Sequence, residues 1–368
     1  MNFKDLGISN DIENILNKSG IKTPTPIQQD SIIHILNNED VIAEAQTGTG
    51  KTLAFLLPIF ENISLSSNGI QALIISPTRE LAIQITEEAN KLSLAKDIGI
   101  LSMYGGKDIG SQMKKLKGNI RLIIATPGRL LDHLKRKTVN LSTLRTIVLD
   151  EADQILLMGF KNEIDIIMKE TPKKKQTLCF SATMDSSVKK LAYRYMQDPV
   201  VISVKKEEVT LTNIKQEVVE TIDREKREAL CKALDQDNPF MAIIFCRTKR
   251  RADELELVMH RRGYNCKVIH SDIQQSKRER IMKSFRNADI QYLIATDVAS
   301  RGLDISGASH IYNYDIPEAV ETYIHRIGRT GRAGNVGYTC LFVDPKDSKM
   351  LSNIENEIKF KIPRRELK

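Results

Sequence analysis

The chain has 368 residues, more than one hydrophobic core usually organises, so two domains are the first expectation. Its 41% hydrophobic and 28% charged residues are typical of an ordinary soluble globular protein. The net charge of +8 is compatible with a polyanionic partner, whereas the lack of Trp and the 5% aromatic content disfavour a surface that binds bases mainly by stacking.

Cysteine spacing and the length of the apolar runs argue against several other classes of protein. The five cysteines include no C-x-x-C pair and the six histidines lack metal-ligand spacing, so we expect buried, reduced thiols rather than a zinc site or a disulfide framework. The first ten residues lack the apolar run of a signal peptide, and runs such as Leu53–Phe60 are far shorter than a membrane span. We expect a cytoplasmic monomer that does not enter the membrane.

Short apolar, β-branched runs recur along the chain, each followed by a polar or glycine-containing turn and then a helical pattern. These runs are Val41–Ala45, Ala72–Ser76, Leu122–Ala125, Thr146–Leu149 and Thr177–Phe180 in the first half, and Ala242–Phe245, Lys267–Ile269, Tyr292–Ala295, His310–Asn313 and Thr339–Val343 in the second. Continuous apolar strands that alternate with amphipathic helices indicate parallel sheets covered on both faces. Because the series occurs twice, we predict two tandem α/β domains.

A polar, charged stretch with few large apolar residues separates the two series. We predict a first domain of residues 1–205, a linker of residues 206–215 and a second domain of residues 216–368. The basic chain end, residues 364–368, is expected to be a solvated end rather than a binding module. In open parallel sheets ligands bind beyond the carboxyl ends of the strands, so the polar clusters that follow the predicted strands are the candidate sites.

The first predicted strand leads directly into a phosphate-binding loop and then an apolar helix. The loop consists of Ala45, Gln46, Thr47, Gly48, Thr49, Gly50, Lys51 and Thr52, with Ala45 where such loops usually have their first glycine. Glycines let backbone N–H groups surround a phosphate, and the helix N-terminus adds positive potential. We expect Lys51 to reach the β- and γ-phosphates of a nucleotide and Thr52 to bind Mg²⁺ through its hydroxyl.

An acidic motif follows the predicted strand Thr146–Leu149. Asp150 is expected to hold Mg²⁺, and Glu151 to orient or deprotonate the attacking water. Read alone, acidic residues here would more often mark a helix N-terminus, where negative charge is favourable. Together with the phosphate loop, they indicate nucleotide hydrolysis.

The segment Asp150-Glu151-Ala152-Asp153 spells the motif that names the DEAD-box RNA helicases, and the chain resembles that family over nearly its whole length. The other matching segments, in the family's order, are Gly20–Gln28 with Phe3 upstream, Pro77–Ala82, Gly105-Gly106, Thr126–Arg129, Ser181–Thr183, Ile244–Thr248, Gln275–Arg278, Ala295–Asp304 and His325–Arg332. The resemblance implies two RecA-like domains and an ATP-dependent RNA helicase that requires ATP and Mg²⁺.

The resemblance also implies roles for individual residues. Beyond the phosphate loop, the implied ATP-binding residues are Phe3, Gln28 and Asp304. The implied catalytic residues are Lys51, Asp150, Glu151, His325, Arg329 and Arg332. The residues implied to couple the two domains are Asp153, Ser181 and Thr183. The implied RNA-binding residues are Pro77, Thr78, Arg79, Gly105, Gly106, Thr126, Gly128, Arg129, Arg247, Gln275, Arg278, Thr296 and Arg301.

The chemistry of these side chains suits the roles. Gln28 carries an acceptor and a donor that match the edge of adenine, which would select ATP over GTP. Arg329 and Arg332 lie three residues apart near a predicted helix start, and arginine fingers contribute roughly 10³–10⁵ in rate. His325 either bonds Asp153 or a hydroxyl of Ser181–Thr183, and so reports closure of the domains, or it is a core histidine.

Arginines and hydroxyls at strand ends and helix starts suit phosphate oxygens and 2′-hydroxyls. We therefore expect single-stranded RNA and short duplexes to bind through their backbones with little sequence preference, and unwinding or remodelling to be local and non-processive. Protein partners are expected to choose the targets. The alternatives are a translocating DNA helicase, an RNA clamp that turns over slowly, and an inactive interaction protein, which the intact catalytic residues argue against.

Overall fold

The computed structural model describes residues 1–46, 48–106, 108–116, 118–204, 214–297, 308–331 and 336–367. The chain divides into two compact units, Met1–Lys206 and Glu207–Lys368, each with its own sheet. Within the described ranges, every helix is too short or too polar to span a lipid bilayer. All five cysteines are buried and free, which confirms the prediction of reduced thiols.

The first unit alternates strands and helices. Its strands are β1 (Val41–Glu44), β2 (Ala72–Ile75), β3 (Gly99–Met103), β4 (Ile120–Ala125), β5 (Thr146–Leu149), β6 (Gln176–Ser181) and β7 (Val200–Ser203). Its helices are α1 (Asn10–Lys18), α2 (Pro26–Leu36), α3 (Lys51–Asn62), α4 (Arg79–Leu92), α5 (Ile109–Lys115), α6 (Pro127–Lys135), α7 (Ala152–Leu157), α8 (Lys161–Lys169) and α9 (Ser186–Tyr193).

These strands form one parallel sheet in the order β3-β4-β2-β5-β6-β1-β7. Along β2, Ala72 and Ile74 pack into one apolar cluster, and Leu73 and Ile75 pack into a second cluster on the other face. Because successive side chains of a strand point to opposite faces, both faces of the sheet are buried. This explains why the strand reads as a continuous apolar run.

The second unit repeats the pattern. Its strands are β8 (Ile214–Glu220), β9 (Ala242–Cys246), β10 (Cys266–Ile269), β11 (Tyr292–Thr296), β12 (His310–Asn313) and β13 (Gly337–Val343). The helices within its described ranges are α10 (Lys226–Asp237), α11 (Lys249–Arg261), α12 (Gln275–Arg286), α13 (Val320–Ile327) and α14 (Ser348–Glu357).

The second sheet is also parallel, in the order β10-β11-β9-β12-β13-β8. Along β9, Ile244 packs into one apolar cluster while Ile243 and Phe245 pack into the cluster on the opposite face. The predicted fold class, two tandem α/β units with helices on both faces of parallel sheets, is confirmed.

All the strands predicted from apolar runs are present, with ends displaced by at most two residues. Strands β3, β7 and β8 were not predicted from the sequence, and each of them lies at an edge of its sheet. Strand β8 begins at Ile214, inside the stretch predicted as the linker. An edge strand is buried less completely and carries more polar residues, so the apolar signal is weaker there.

The prediction of a solvated chain end was wrong, because the end of the chain docks against β8. Arg365 donates its backbone N–H to the carbonyl of Val218 at 2.8 Å, and its guanidinium contacts Asp237 at 2.9 Å. Arg364 donates to the buried carboxylate of Glu355 at 2.6 Å. An unpaired strand edge and buried carboxylates both require partners, and this short basic segment supplies both.

Candidate functional site

The carboxyl edge of the first sheet carries two groups of predicted residues. The phosphate loop, the acidic motif and the segment Ser181–Thr183 follow β1, β5 and β6, which are neighbours in the sheet. The residues predicted to contact RNA follow β2, β3 and β4, which are also neighbours. Although the two groups alternate in the sequence, the strand order places them at different ends of one sheet edge.

The phosphate loop joins β1 to the N-terminus of α3. Gly48 and Gly50 have φ angles of 87° and 94°, in the left-handed region that favours glycine. A Cβ atom at Gly50 would lie only 2.4 Å from Nε2 of Gln28 and 2.9 Å from Oγ1 of Thr25. The loop conformation and the start of α2 therefore fit together only with glycine at this position.

Internal hydrogen bonds hold the loop in a turn. The buried Lys51 donates from Nζ to the carbonyl of Ala45 at 2.7 Å, and Thr49 donates from Oγ1 to the carbonyl of Gln46 at 2.7 Å. Thr52 is half-buried in the first turn of α3. The Lys51 ammonium thus lies inside the loop that the sequence predicts will surround phosphate. Of the predicted loop residues, Thr47 lies outside the described ranges.

The two residues predicted to contact adenine are both held by the protein itself. Gln28 accepts from the N–H of Thr25 at 2.9 Å through Oε1, and it donates through Nε2 to the carbonyl of Gly50 at 3.0 Å. Phe3 is fully buried in the apolar cluster of the first unit, so stacking on adenine would require its ring to leave that cluster. The sequence did not reveal either of these packing roles.

The acidic motif lies at the end of β5. Asp150 is 3% exposed, and burial raises the pKa of its carboxyl to about 7, against the opposing effect of the nearby Lys51. Glu151 has φ 50° and ψ 54°, a left-handed conformation that is rare for a residue with a side chain. Such backbone conformations occur mainly where the surrounding structure enforces them, and they cluster at functional sites.

Asp153 is buried in the first turn of α7, beside the end of β6. Its backbone N–H donates to Oγ of Ser181 at 3.3 Å, and Oδ2 accepts from Nε2 of Gln154 at 3.4 Å. Among the described residues no donor reaches Oδ1, which is buried. A buried acceptor without a partner is costly, so this atom is suited to receive a donor in another functional state. Thr183, two residues beyond β6, is half-buried.

The acidic motif suits a Mg²⁺ ion with few protein ligands. Within the described ranges, no group of three or more His, Cys, Asp or Glu side chains is arranged to hold a metal. Mg²⁺ is usually bound by one or two carboxylates together with substrate phosphates and water, not by a cage of protein ligands. The Asp150 carboxyl and the Thr52 hydroxyl are oxygen donors of the required kind.

The predicted RNA contacts of the first unit lie after the ends of the three strands β2, β3 and β4, and two of these segments also begin the helices α4 and α6. Thr78 caps α4, its Oγ1 accepting from the N–H of Leu81 at 3.3 Å. Arg79 extends over Gly105, because a Cβ atom there would lie 3.0 Å from its Nη2. Thr126 precedes α6, which carries Arg129 in its first turn. Buried Pro77, exposed Gly128 and Gly106, with φ 88°, complete the group.

In the second unit the predicted RNA contacts follow β9, β10 and β11, which are again neighbours in the sheet. Thr296 ends β11, and Gln275 and Arg278 lie in the first turn of α12, where both are at least nine-tenths buried. The guanidinium of Arg247 donates to the carbonyl of Ile316 at 3.4 Å. Arg301 lies outside the described ranges. The second sheet therefore gathers these residues in the same way as the first.

Of the residues implied to act from the second unit, His325 and Arg329 are described, and they lie on or just after α13, which follows β12. His325 is half-buried on this helix. Arg329 was predicted near a helix start, but it follows the C-terminus of α13, and its backbone N–H donates to the carbonyl of Arg326 at 3.1 Å. The helix ends at Ile327, Gly328 follows it directly, and Gly331 has φ 69°. Asp304 and Arg332 lie outside the described ranges.

Two residues with organising roles were missed by the sequence analysis. Arg326 is 3% exposed and binds both oxygens of Asp297, at 2.6 and 2.7 Å, as well as Oδ1 of Asn313 at 2.9 Å. Gln112, on α5, accepts from Arg129 at 3.1 Å. Gln112 precedes the apolar Leu116 by one helical turn, so a polar residue at an otherwise apolar helix position was the available signal.

Comparison with known proteins agrees with this geometry. A family model described as DEAD/DEAH box helicase matches residues 25–191, and one described as helicase conserved C-terminal domain matches residues 225–334. The chain is 47% identical over 362 residues to the DEAD-box ATP-dependent RNA helicase CshA of Bacillus subtilis strain 168, covering 98% of this chain and 73% of that protein.

Solved structures show the same similarity. The chain aligns with a structure of S. cerevisiae Dbp5 bound to RNA and ADP BeF3 at a TM-score of 0.90 and 30% identity, covering 99% of this chain and 95% of that one. It also aligns with a DEAD box protein from the hyperthermophile Methanococcus jannaschii at a TM-score of 0.56 and 40% identity, covering 100% of this chain and 99% of that one.

Proposed function

Because the chain belongs to the DEAD-box family of ATP-dependent RNA helicases, we propose that it opens short RNA duplexes locally, by bending one strand, and does not travel along RNA. It is an RNA-dependent ATPase that acts on RNA, as its similarity to CshA over 98% of its length indicates.

The observation that carries the proposal is the division of the first sheet edge. The residues predicted to carry ATP chemistry follow β5, β6 and β1, and the residues predicted to contact RNA follow β3, β4 and β2. The two functions therefore share one rigid sheet, and a change of backbone position at one set of strand ends is transmitted to the other set through packed strands. This arrangement supports direct coupling between the state of the nucleotide and the grip on RNA.

In the proposed ATP site, each residue has a defined task. Lys51 leaves the carbonyl of Ala45, to which it is bonded at 2.7 Å, and pairs with the β- and γ-phosphates. Asp150 and Thr52 would hold Mg²⁺, which would neutralise charge on the phosphates when bound. Glu151, in its left-handed conformation beside Asp150, accepts a proton from the attacking water.

On the RNA side, the first turns of α4 and α6 supply backbone donors, and Thr78, Arg79, Thr126 and Arg129 supply side-chain donors. Helix N-termini and arginines bind phosphate oxygens and carry no sequence information, so the proposed binding is independent of base sequence. Contacts with 2′-hydroxyls would distinguish RNA from DNA. The corresponding strand ends of the second unit support a continuation of this backbone grip.

Hydrolysis is proposed to need both units. Arg329 and Arg332 would stabilise the negative charge that spreads over the transferred phosphoryl group, a contribution of roughly 10³–10⁵ in rate. We propose that His325 supplies the donor for Oδ1 of Asp153, the buried acceptor described above. ATP hydrolysis would then depend on RNA because RNA favours the state in which these residues act together.

The energy required is compatible with local opening. Stacking in a duplex contributes about 1.4 kcal/mol per step, a value measured for DNA, so distorting a few steps costs only several kcal/mol. Binding of a ligand with a Kd of about 1 μM would supply about 8 kcal/mol, which is more than this cost. A protein that melts a short duplex by bending one strand therefore does not need to move along the RNA.

The test compares ATP hydrolysis and unwinding on matched substrates. We expect ATPase activity to rise with single-stranded RNA and not with DNA of the same sequence. Duplexes of about one helical turn should open with or without a single-stranded tail, whereas duplexes of several turns should stay closed. Efficient opening of long duplexes from a tailed end, or equal stimulation by DNA, would contradict the proposal and favour a translocating helicase.

A further inference from the structure

Gln112, a residue outside every motif considered above, lies at the centre of a buried polar network in the first unit. It is 3% exposed on α5. Its Oε1 accepts from Nη1 of Arg129 at 3.1 Å and pairs with Nε2 of His133 at 2.9 Å, both on α6. Its Nε2 donates to the carbonyl of Tyr104 at 3.4 Å. One amide therefore joins α5, α6 and the end of β3.

The chemistry of the partners fixes the orientation of this amide. A guanidinium can only donate hydrogen bonds, so the Gln112 oxygen, with its two lone pairs, must face Arg129. The second lone pair then requires His133 to carry hydrogen on Nε2. Burial and the charge of Arg129 lower the pKa of His133, so its imidazole is neutral near pH 7 and presents Nδ1 to Oγ1 of Thr138 at 2.8 Å.

The same network reaches the other RNA-side elements of the first unit. Tyr104, whose carbonyl accepts from Gln112, directly precedes the pair Gly105-Gly106. The guanidinium of Arg79 lies over Gly105, close enough that a Cβ atom there would be 3.0 Å from Nη2. Gln112 thus touches one predicted RNA-binding residue directly and supports the loop that packs against another.

We propose that Gln112 is a positioning residue for RNA binding, one that fixes the Arg129 guanidinium and the Gly105-Gly106 loop in the arrangement that accepts the RNA backbone. The inference rests on the proposed role of Arg129 in RNA binding. Fixing a long side chain before binding removes the conformational entropy that it would otherwise lose on binding, and this increases affinity. Gln112 itself does not need to touch RNA.

A simple packing role explains the site less well. Leu116, one turn further along α5, packs against the apolar cluster on that face of the sheet. If packing were the only requirement, Gln112 and its polar partners could all be apolar, since replacing every partner of a buried hydrogen bond by apolar groups of the same shape can be nearly neutral for stability. A glutamine that satisfies an arginine and a histidine at once is better explained by the need to orient the arginine.

The first experiment measures how strongly a fluorescein-labelled oligouridylate binds the full chain with a non-hydrolysable ATP analogue, over a series of salt concentrations. For Gln112→Leu we expect the Kd to rise several-fold and the log–log salt slope to flatten by up to about 0.7, the value for one phosphate contact on a single strand. In ATPase assays, KM for RNA should rise while kcat at saturating RNA is unchanged.

A matched control is Gln71→Leu. Gln71 is also buried in the first unit, where its side chain bonds the backbone of Ser64 at 2.9 and 2.7 Å. This substitution also removes buried hydrogen bonds, but at a place away from the predicted RNA contacts. It should therefore lower thermal stability and leave the salt slope of RNA binding unchanged. If both variants changed RNA binding to the same extent, the effect would be one of stability and the proposal would be wrong.

The substitution Gln112→Glu keeps a side chain of the same size at position 112 and changes its charge. It also tests the proposal if the Gln112→Leu variant does not fold. The carboxylate keeps the hydrogen bonds with Arg129 and His133, loses the donor to the carbonyl of Tyr104, and neutralises Arg129, so RNA affinity should fall and the salt slope should flatten in a variant that stays folded. An unchanged slope in this folded variant would overturn the proposal.

A double-mutant cycle with Arg129→Ala separates this inference from the proposed function. If Arg129→Ala alone leaves RNA affinity and salt slope unchanged, the proposed RNA contact of Arg129 is wrong. If Arg129→Ala weakens binding, Gln112→Leu should have little additional effect in that background, because residues of one network are not additive. Full additivity of the two substitutions would refute the positioning role of Gln112 while leaving the RNA role of Arg129 intact.

Discussion

Asp150 lies in a setting where ionisation opposes folding when no ligand is bound. Burial raises the pKa of its carboxyl from an ordinary 3.8 to about 7. Because the folded protein holds this proton more tightly than the unfolded chain, stability falls as the pH rises from about 4 to about 7. Each pH unit corresponds to about 1.4 kcal/mol, so the full loss is roughly 4 kcal/mol.

Replacing Asp150 with Asn removes this pH dependence. The Asn side chain is neutral at every pH, has nearly the same shape, and retains an oxygen for the N–H of Glu151, which donates to Asp150 at 3.0 Å. We expect Asp150→Asn to equal the wild type in stability near pH 4 and to exceed it by up to about 4 kcal/mol near pH 8. The same substitution should abolish ATP hydrolysis because it weakens the proposed Mg²⁺ site.

The assay is urea unfolding of the full chain between pH 4 and pH 8 in EDTA without nucleotide, with hydrogen exchange in β5 and β6 to identify the unit that unfolds. Asp132→Asn is the control, because Arg136 holds the pKa of that exposed carboxyl below its usual value and the substitution should give no stabilisation at high pH. The electrostatic argument would be refuted if Asp150→Asn did not increase the free energy of unfolding at pH 8. It would also be refuted if the increase were the same at every pH.

Three other substitutions test separate parts of the sites. Glu151→Gln should retain ATP and trap RNA while hydrolysis falls by orders of magnitude, and a normal hydrolysis rate in a coupled assay would exclude it as the base. Gly50→Ala should weaken ATP binding in a fluorescent-nucleotide titration, because its Cβ would meet Nε2 of Gln28 at 2.4 Å and φ is 94°. Arg326→Ala should lower the free energy of unfolding by roughly 3–5 kcal/mol, since it leaves the Asp297 carboxylate without its bidentate partner. A decrease of less than about 1 kcal/mol would contradict this prediction.

Segments that a short stretch of sequence specifies were predicted at the correct place in the fold. The phosphate loop and the acidic motif depend on short segments, in which glycine, lysine and carboxylates follow an apolar strand, and the structure places both at the carboxyl edge of the sheet. The interior strands were also predicted, because a strand buried on both faces must be apolar throughout. By contrast, β3, β7 and β8 lie at sheet edges, where polar residues are tolerated and the pattern is weaker.

The roles of individual side chains depended on neighbours that are distant in the sequence. Phe3 is in the core because other apolar elements of the first unit surround it, and the two polar atoms of Gln28 are bonded to Thr25 and to Gly50, 22 residues away from Gln28. The local pattern marks Gln112 as a polar residue at an otherwise apolar helix position, but it could not indicate the partners of Gln112, which lie on another helix and at the end of a strand.

The sequence by itself determined the fold class, the interior strands and the position of the segments predicted to carry ATP chemistry, because these depend on hydrophobicity and on residue types at short spacing. Only the tertiary structure decided which segments stand side by side. Strand order separates the residues predicted to bind ATP from those predicted to bind RNA along one sheet edge, although the two groups alternate along the chain. The physical reason is that backbone hydrogen bonds between parallel strands impose no requirement on sequence distance, so neighbours are chosen by packing of the whole sheet.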